Sequence, residues 1–548
     1  MDLVKIQQTR GKGNGVFAKR WLSPKDRIYG VTDFALSAIS THQLSDFCYH
    51  CYAGSRYEGD KWYSIGQYRN ADLKICTGCK IARFCGKACQ TQAWKKYHKH
   101  ECKIFSKLYP NVLPESVRAV VRFALQRTNG TLPAGAWESI LSLQSHHKQL
   151  QTQGGNDWVD LNLMAKASAE YSRAADATEF LLLLCILKIN AITLQTTYND
   201  PIGLVLDPFL ATINHSCDPN IVLHRPTYTN AAGWLQRRQT GQVACHVLPL
   251  RQIAQDEELT VSYIDFQEHV SQRQANLKKN YLFTCTCSKC NLDLKAEVHL
   301  MQRDPEEAKL QVTWRLQADE QFEILTTPPF SPKTLSDAIT NLTALVETME
   351  SSPTFSPTTD PYNRVIQELK LLQTNDRIRV DLSLICALKQ HLLIGPELYS
   401  SPIHPTRIVN AIYTLQLLAH IDDTFQQAPV SAPHDPKMVE ARQKLEKKGL
   451  SHRSVGCWRM RIATDMRDTL RDNIIEDLGQ VFEMERVSIG ANHRDVFAHL
   501  LVRDSIRIQA ETEMRTVLGM TETRWTDSRR HQEATREKWL NGSSGANV

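Results

Sequence analysis

Residues 214–220 read Asn-His-Ser-Cys-Asp-Pro-Asn, and segments of strand character surround this short polar stretch. Apolar runs at residues 203–206, 243–248 and 259–263 are each bounded by proline, glycine or charged residues. Their length and composition are typical of short β-strands. The polar stretch is therefore predicted to form a turn or loop within a β-rich region.

The cysteines are concentrated on both sides of this stretch. Seven of the fifteen cysteines lie between Cys48 and Cys102, and three more crowd into residues 285–290. The N-terminal residues contain no apolar core of the kind found in a secretory signal, which predicts an intracellular protein of the cytoplasm, the nucleus or both. Its thiols should then be reduced, and clustered reduced thiols usually bind metal.

Eight residues of the first cluster fall into four close pairs, namely Cys48 and Cys51, Cys76 and Cys79, Cys85 and Cys89, and His98 and Cys102. Two ligands separated by two or three residues can turn back toward one ion, and eight ligands suffice for two tetrahedral zinc sites. His98 is favoured over His100 because its spacing to Cys102 allows one helical turn between the two ligands.

The second cluster supplies three further thiols, Cys285, Cys287 and Cys290. A closed zinc site needs a fourth ligand. Cys217 is the remaining cysteine in a polar, loop-like setting, whereas Cys185 and Cys245 lie in apolar runs and are predicted to be core residues. The sequence thus predicts three Zn²⁺ ions per chain.

The bulk composition indicates a soluble globular protein of two to four domains. The chain has 548 residues, of which 42% are hydrophobic and 23% charged, and its net charge is +6. So small a net charge over this length is weak support for a nucleic-acid partner. The most apolar stretch, residues 181–187, is too short to cross a bilayer, so no membrane partner is expected. It is predicted to be a buried helix or strand.

Beyond about residue 293 the pattern is helical. Apolar residues recur at intervals of three and four in two stripes: Leu335, Ala338, Ile339, Leu342, Leu345, Val346 and Met349; and Ile408, Ala411, Ile412, Leu415 and Ala419. This spacing is typical of amphipathic helices. We expect stacked helical hairpins, followed by a frayed tail.

Three motifs together resemble a SET domain with its post-SET zinc site: residues 214–220, the segment 258–263 (ELTVSY) and the cysteines of 285–290. The four pairs of residues 48–102 resemble a MYND zinc finger. A finger inserted between the Gly13-Asn14-Gly15 segment and the rest of a SET domain is similar to the arrangement of the SMYD family. Residues 401–405, which precede a predicted helix, are similar to part of that family's TPR-like C-terminal domain.

The resemblance implies an α+β fold: a β-rich SET domain, an inserted MYND finger and an all-α, TPR-like C-terminal domain. The implied boundaries are the SET N-terminal part at 1–47, the finger at 48–102, a helical SET insertion at 103–180, the SET core at 181–269, the post-SET segment at 270–292, the helical domain at 293–530 and a flexible tail at 531–548. It also implies interleaved ligands, so that Cys48 and Cys51 share a zinc with Cys85 and Cys89. The other four finger ligands share the second ion.

By the same resemblance the protein is an S-adenosyl-L-methionine-dependent protein-lysine methyltransferase, acting on a histone or another protein. The implied catalytic residues are Tyr263, Tyr281 and Phe283. The implied cofactor residues are Lys12, Asn14, Asn190, Asn214 and His215. Lys12 stands where many relatives carry arginine, and lysine cannot form a bidentate fork to a carboxylate. Ala211 stands where some relatives carry serine.

Several alternatives stay open. The chain could be a catalytically silent adaptor, or could methylate a non-protein amine. A monomer is expected, and the resemblance implies that the finger binds a proline-rich peptide. The lysines of the finger surface leave a contact with DNA or an acidic peptide as a weaker alternative. The adjacent Glu257 and Glu258 are interpreted as a solvated turn rather than a catalytic acid pair. Gly13-x-Gly15-x-x-Ala18 imitates a dinucleotide-binding loop, but Ser23-Pro24 interrupts the helix that such a loop requires.

Overall fold

The structure, a computed structural model, describes residues 2–417 except 10, 25, 54–72, 196–200, 225–227, 230–234, 237–241, 328–330, 376–379, 400, 402–403, 412 and 415–416. The predicted tail, the helical domain beyond residue 417, part of the 401–405 segment, and Ile412, Leu415 and Ala419 of the second stripe lie outside the described residues. Two compact units are present, one ending at Glu297 and one beginning at Val298.

Short strands dominate the first unit, as the apolar runs predict. The described strands are β1 Val4–Thr9, β2 Gly13–Ala18, β3 Tyr29–Val31, β4 Leu36–Ile39, β5 Lys74–Ile75, β6 Arg83–Phe84, β7 Ile192–Gln195, β8 Pro201–Leu206, β9 Asn214–His215, β10 Ile221–His224, β11 Tyr228–Thr229, β12 Leu235–Gln236, β13 Cys245–Pro249 and β14 Glu258–Val261. They pair in the orders β1-β2-β14-β9, β10-β13-β3 and β4-β8-β7, with β5-β6 and β11-β12 as separate pairs.

The helices of the first unit are α1 Lys87–Ala93, α2 Lys99–Leu108, α3 Glu115–Thr128, α4 Ala136–Leu141, α5 His147–Gln153, α6 Gly155–Ser172, α7 Ala177–Asn190, α8 Val270–Tyr281 and α9 Ser288–Arg303, the last of which crosses the unit boundary. A π-helical turn, Trp94–His98, joins α1 to α2. The apolar stretch at 181–187 forms part of α7. This helix begins at Asp176, whose carboxylate accepts a hydrogen bond from the Glu179 N–H, a common helix start.

One large hydrophobic core occupies most of the first unit, and the residues around Leu277 of α8 form a separate, smaller cluster. The large core contains residues of the predicted finger, such as Tyr49 and Phe84, together with Val16 and Ile39 of the sheets and Phe123 of α3. Because a zinc finger this small has little core of its own, these shared contacts anchor it to the β-rich part.

The second unit is helical over its described residues. Its helices are α10 Pro305–Thr326, α11 Pro332–Ser351, α12 Tyr362–Asn375, α13 Val380–Lys389 and α14 Gly395–Leu398. The first apolar stripe of the sequence lies on α11, where it packs with Trp314 of α10 and Ile366 of α12. The predicted amphipathic helix is thus confirmed.

The α+β fold class is confirmed: strands and helices form the first unit, and helices form the described part of the second. The unit boundary at Glu297 lies close to the predicted start of the helical domain. No described helix is long and apolar enough to cross a membrane.

Candidate zinc sites and transfer site

The first candidate zinc site gathers the ligands predicted to share an ion. Cys48, Cys51, Cys85 and Cys89 present sulfur atoms that all lie within 4.8 Å of one another. Cys85 follows β6 directly, and Cys89 lies on α1. Cys85 Sγ and Cys89 Sγ are 3.4 Å apart. Such closely packed sulfur atoms with no disulfide between them are the donor set of a structural zinc site.

The second candidate site contains Cys76, Cys79, His98 and Cys102, again with ligand atoms within 4.8 Å. His98 Nε2 lies 3.4 Å from Cys76 Sγ and 3.7 Å from Cys79 Sγ, so this nitrogen faces the ion position. A Cβ at Gly78 would lie 2.9 Å from Cys102 Sγ, so the loop between Cys76 and Cys79 needs glycine there. Both ligand sets match the interleaved pairing.

A buried carboxylate supports the second site. His98 Nδ1 lies 3.5 Å from Glu101 Oε2, and Arg122 Nε donates to the other Glu101 oxygen at 2.7 Å. Arg122 also donates to the Ser37 carbonyl of β4. A carboxylate beside the second nitrogen of a ligating histidine fixes the ring and raises its basicity. The finger and the β-rich part are therefore linked through charges as well as through the core.

The third candidate site joins residues from two distant parts of the chain, Cys217 and the thiols Cys285, Cys287 and Cys290. Cys217 Sγ lies 3.4 Å from Cys290 Sγ. The side-chain amide of Gln274 on α8 donates to the Cys285 carbonyl and accepts from the Cys285 N–H. Arg273 Nη2 lies 3.7 Å from Cys290 Sγ, where its positive charge would favour the thiolate form that a zinc ion binds.

We expect about three zinc ions per chain, because twelve residues form three closed sets of four ligands. The measurement is metal analysis of purified, tag-free protein by plasma mass spectrometry. Protein that has been unfolded and dialysed against chelator serves as the metal-free control. One ion or none in the native protein would contradict the prediction.

Parallel pairing of β9 with β14 builds the candidate transfer site. It sets Asn214 beside Thr260 and His215 beside Val261, with Tyr263 just beyond the strand. The Tyr263 N–H donates to His215 Nδ1 at 3.0 Å, and the Tyr263 hydroxyl donates to the Ile213 carbonyl at 2.6 Å. Residues fifty positions apart therefore hold the hydroxyl in one place.

The predicted aromatic residues lie together around Tyr263. The rings of Tyr263 and Tyr281 are 5.0 Å apart, and the His215 ring is 5.9 Å from that of Phe283. Helix α8 ends at Tyr281, and Leu282 takes a left-handed conformation with φ 65°, which turns the chain so that Phe283 lies back against His215. The Tyr281 hydroxyl donates to the Tyr263 carbonyl.

Burial sets the protonation of this group. It raises the pKa of Tyr263, with smaller contributions from Tyr281 and Glu258, so the hydroxyl keeps its proton at neutral pH. It lowers the pKa of His215 to about 4, so the ring is neutral. Because Nδ1 accepts from Tyr263, Nε2 carries the proton and points it at Cys217 Sγ, 3.2 Å away.

Three of the five predicted cofactor residues meet beside β2. Asn214 Nδ2 donates to the Asn14 carbonyl at 3.1 Å, and Lys12 Nζ lies 3.7 Å from Glu258 Oε2. Asn190 at the end of α7 donates instead to the Gln144 carbonyl, and the Gln144 side chain lies over Gly13. His215 faces the aromatic group.

Sequence reasoning missed two polar residues of this site, Glu258 and Gln144. The interpretation of Glu257 and Glu258 as a solvated turn is wrong: both side chains are half-buried and hydrogen-bonded. Glu258 accepts from Asn214 because it lies on β14, two positions before the partner of Asn214, a register that only strand pairing reveals. Gln144 comes from a loop between α4 and α5 and carries no local signal.

The two cysteines predicted to be core residues, Cys185 and Cys245, differ in burial. Cys185 is buried in α7, as predicted. Cys245 is only half-buried, and its thiol lies 3.7 Å from the His246 carbonyl. Neither belongs to any of the three thiol clusters among the described residues.

Comparison with known proteins follows the same division of the chain. The family model of the MYND finger matches residues 48–102. The chain is similar to SET domain and MYND-type zinc finger protein 6 of Schizosaccharomyces pombe, at 33% identity over 40% of this chain and 41% of that protein. It is also similar to human Histone-lysine N-methyltransferase SMYD1, at 28% identity over 56% of this chain and 59% of that protein.

A third relative, human Histone-lysine N-methyltransferase SMYD3, is 26% identical over 53% of this chain and 62% of its own length. The chain thus spans about half the length of the curated relatives it matches. The family model thus identifies a MYND finger in the chain, and the chain is similar to SMYD proteins that are named lysine methyltransferases.

Proposed function

We propose that this protein is an S-adenosyl-L-methionine-dependent protein-lysine N-methyltransferase whose substrate is a histone or another protein. One observation carries the proposal. The Tyr263 hydroxyl lies within a half-buried aromatic group, and the polar cluster of Lys12, Asn14 and Asn214 adjoins it through the paired strands β9 and β14. Lysine methylation needs both features side by side.

The aromatic group would act on the substrate amine. A free lysine is almost wholly charged at neutral pH, with a pKa of about 10.4. A narrow apolar channel, which Tyr281 and Phe283 would line, would exclude water and so disfavour the ammonium form. The Tyr263 hydroxyl already donates to Ile213, so its oxygen is left to accept an N–H of the amine and to align the nitrogen lone pair.

The polar cluster suits the two ends of the cofactor, whose sulfonium supplies the methyl group. Lys12 would pair with a carboxylate, while Asn14, Asn190 and Asn214 offer hydrogen bonds to its other polar groups. His215, whose two ring nitrogens already face Tyr263 and Cys217, would border the cofactor without a side-chain hydrogen bond. The backbone also leaves space for the cluster itself: a Cβ at Gly15 would lie 2.7 Å from Glu258 Oε1 and 3.0 Å from Asn214 Nδ2. Only glycine leaves room for side chains to converge over β2 there.

A catalytically silent adaptor is the second candidate. It would use the finger to recruit a proline-rich peptide, and the exposed Trp94 and the surface lysines of the finger support a role in binding. An adaptor, however, has no use for a Tyr263 hydroxyl held by two chain segments beside the polar cluster.

Incubation with S-adenosylmethionine labelled on the methyl group, together with a proteome extract, separates these candidates. We expect label on protein, recovered as methyl-lysine after hydrolysis. The S-adenosylhomocysteine product, added in excess, should suppress the signal. Protein that is folded and zinc-loaded, yet transfers no label, would favour the adaptor; label found only on small amines would exclude a protein substrate.

A further inference from the structure

Glu258 is the acidic residue of the polar cluster. It opens β14, opposite Phe17 of β2, and its side chain is 21% exposed. One carboxylate oxygen accepts from Asn214 Nδ2 at 2.7 Å, and the other lies 3.7 Å from Lys12 Nζ. A single carboxylate therefore contacts two of the residues proposed to hold the cofactor.

The contact with Glu258 decides how Asn214 faces a ligand. Its amide nitrogen donates one hydrogen to Glu258 and the other to the Asn14 carbonyl. The reverse orientation would direct the amide oxygen at two acceptors with no proton between them. Both donors are thus in use, and only Oδ1 is left for a ligand. An acceptor of this kind suits an ammonium group and repels a carboxylate.

The contact with Lys12 has the complementary effect. The Lys12 side chain is 52% exposed, and its distance from Glu258 is long for an ion pair. Such a contact keeps the ammonium close to the cluster without using all three of its donors. The remaining donors suit a carboxylate. The cluster therefore presents an acceptor and a cation side by side, the complement of an α-amino acid.

We propose that Glu258 is a positioning residue for the amino-acid end of the S-adenosyl cofactor. It orients the Asn214 amide to accept from the α-ammonium and holds Lys12 for the α-carboxylate. This inference rests on the proposed function, because it assigns a role within the same cofactor site.

The test compares two ligands in wild-type protein and in Glu258→Gln. S-adenosylhomocysteine carries the amino-acid end, whereas 5′-methylthioadenosine lacks it. A glutamine can donate or accept, so it no longer orients Asn214 and no longer attracts Lys12. We expect the Kd of S-adenosylhomocysteine to rise about tenfold or more, while that of methylthioadenosine changes by less than about twofold. Calorimetric titration measures both constants.

The matched control is Glu257→Gln, since Glu257 contacts Arg251 and Asn220 but neither Asn214 nor Lys12. It should leave the ratio of the two Kd values unchanged. In an Asn214→Ala background, Glu258→Gln should cost less than in the wild type, because part of its effect passes through Asn214. If Glu258→Gln does not fold, as judged by zinc content and melting, Glu258→Asp replaces it.

Equal weakening of both ligands, or none, overturns the role of Glu258 while leaving the proposed function intact. Wild-type protein that binds neither ligand overturns the proposed function itself. A loss confined to S-adenosylhomocysteine, and reduced in the Asn214→Ala background, supports the inference.

Discussion

Tyr263→Phe is expected to lower the rate of methyl transfer by about 10²-fold or more while the protein stays folded. The substitution removes one hydroxyl, which donates to the Ile213 carbonyl, and keeps the ring against Tyr281. The Kd of S-adenosylhomocysteine should change little, because the hydroxyl belongs to the aromatic group and not to the polar cluster. Single-turnover rates with labelled S-adenosylmethionine measure the effect.

The matched control is Tyr171→Phe, which removes a hydroxyl from an exposed tyrosine on α6. It should leave the rate unchanged. Near-normal transfer by Tyr263→Phe would move the chemistry to another group. Loss of zinc or of cooperative unfolding would instead make Tyr263 a structural residue.

The pH dependence of the wild-type rate offers a second check on this assignment. Because burial raises the pKa of Tyr263, the hydroxyl stays protonated across the neutral range and does not limit the rate there. The substrate amine, in contrast, must lose a proton before transfer. We therefore expect the rate to rise with pH from neutral to mildly alkaline values in the wild type, and in Tyr263→Phe as well, at a lower level.

Zinc ligands could be predicted from the sequence because their spacing is local. Cys76 and Cys79 meet one ion through a turn that their own chain segment makes, and His98 and Cys102 do so through a helical turn. Cys217 was harder to predict, since its partners lie some seventy residues later. It could be identified because its neighbours in the sequence are polar, which is typical of a loop that holds a ligand and not of a hydrophobic core.

The polar cluster was only partly predictable because its contacts depend on strand register. Glu258 meets Asn214 only through the parallel pairing of β9 with β14, which no local pattern specifies. Two adjacent acidic residues are commonest at a solvated turn, whereas strand pairing here half-buries both Glu257 and Glu258. The sequence does not distinguish a helix from a strand at residues 181–187 for a related reason: a helix buried on most sides shows no amphipathic period.

The third zinc site is the point where metal binding and transfer meet, and Cys217→Ser tests it. A hydroxyl is a poor zinc ligand compared with a thiolate, so the variant should lose about one of its three ions. The two finger sites share no ligand with it and should stay loaded. We also expect methyl transfer to fall at least as far as in Tyr263→Phe.

The reason for that fall is the path from the ion to the aromatic group. Cys217 follows His215 by two residues, and its partner Cys285 follows Phe283 by two. One ion would therefore link the strand that contains His215 to the turn that contains Phe283. The rings of His215 and Phe283 are 5.9 Å apart. Without the ion, residues 282–292 should become sensitive to limited proteolysis, and the channel walls should no longer hold the amine in line.

Cys245→Ser is the matched control, because this half-buried thiol belongs to none of the three clusters among the described residues. It should keep the zinc content, the protease resistance and the activity of the wild type. A Cys217→Ser protein that keeps its full zinc content and its activity would show that another residue is the fourth ligand. Loss of zinc without loss of transfer would separate the metal from the channel and leave α8, through the hydrogen bonds between Gln274 and Cys285, as the element that holds Phe283 in place.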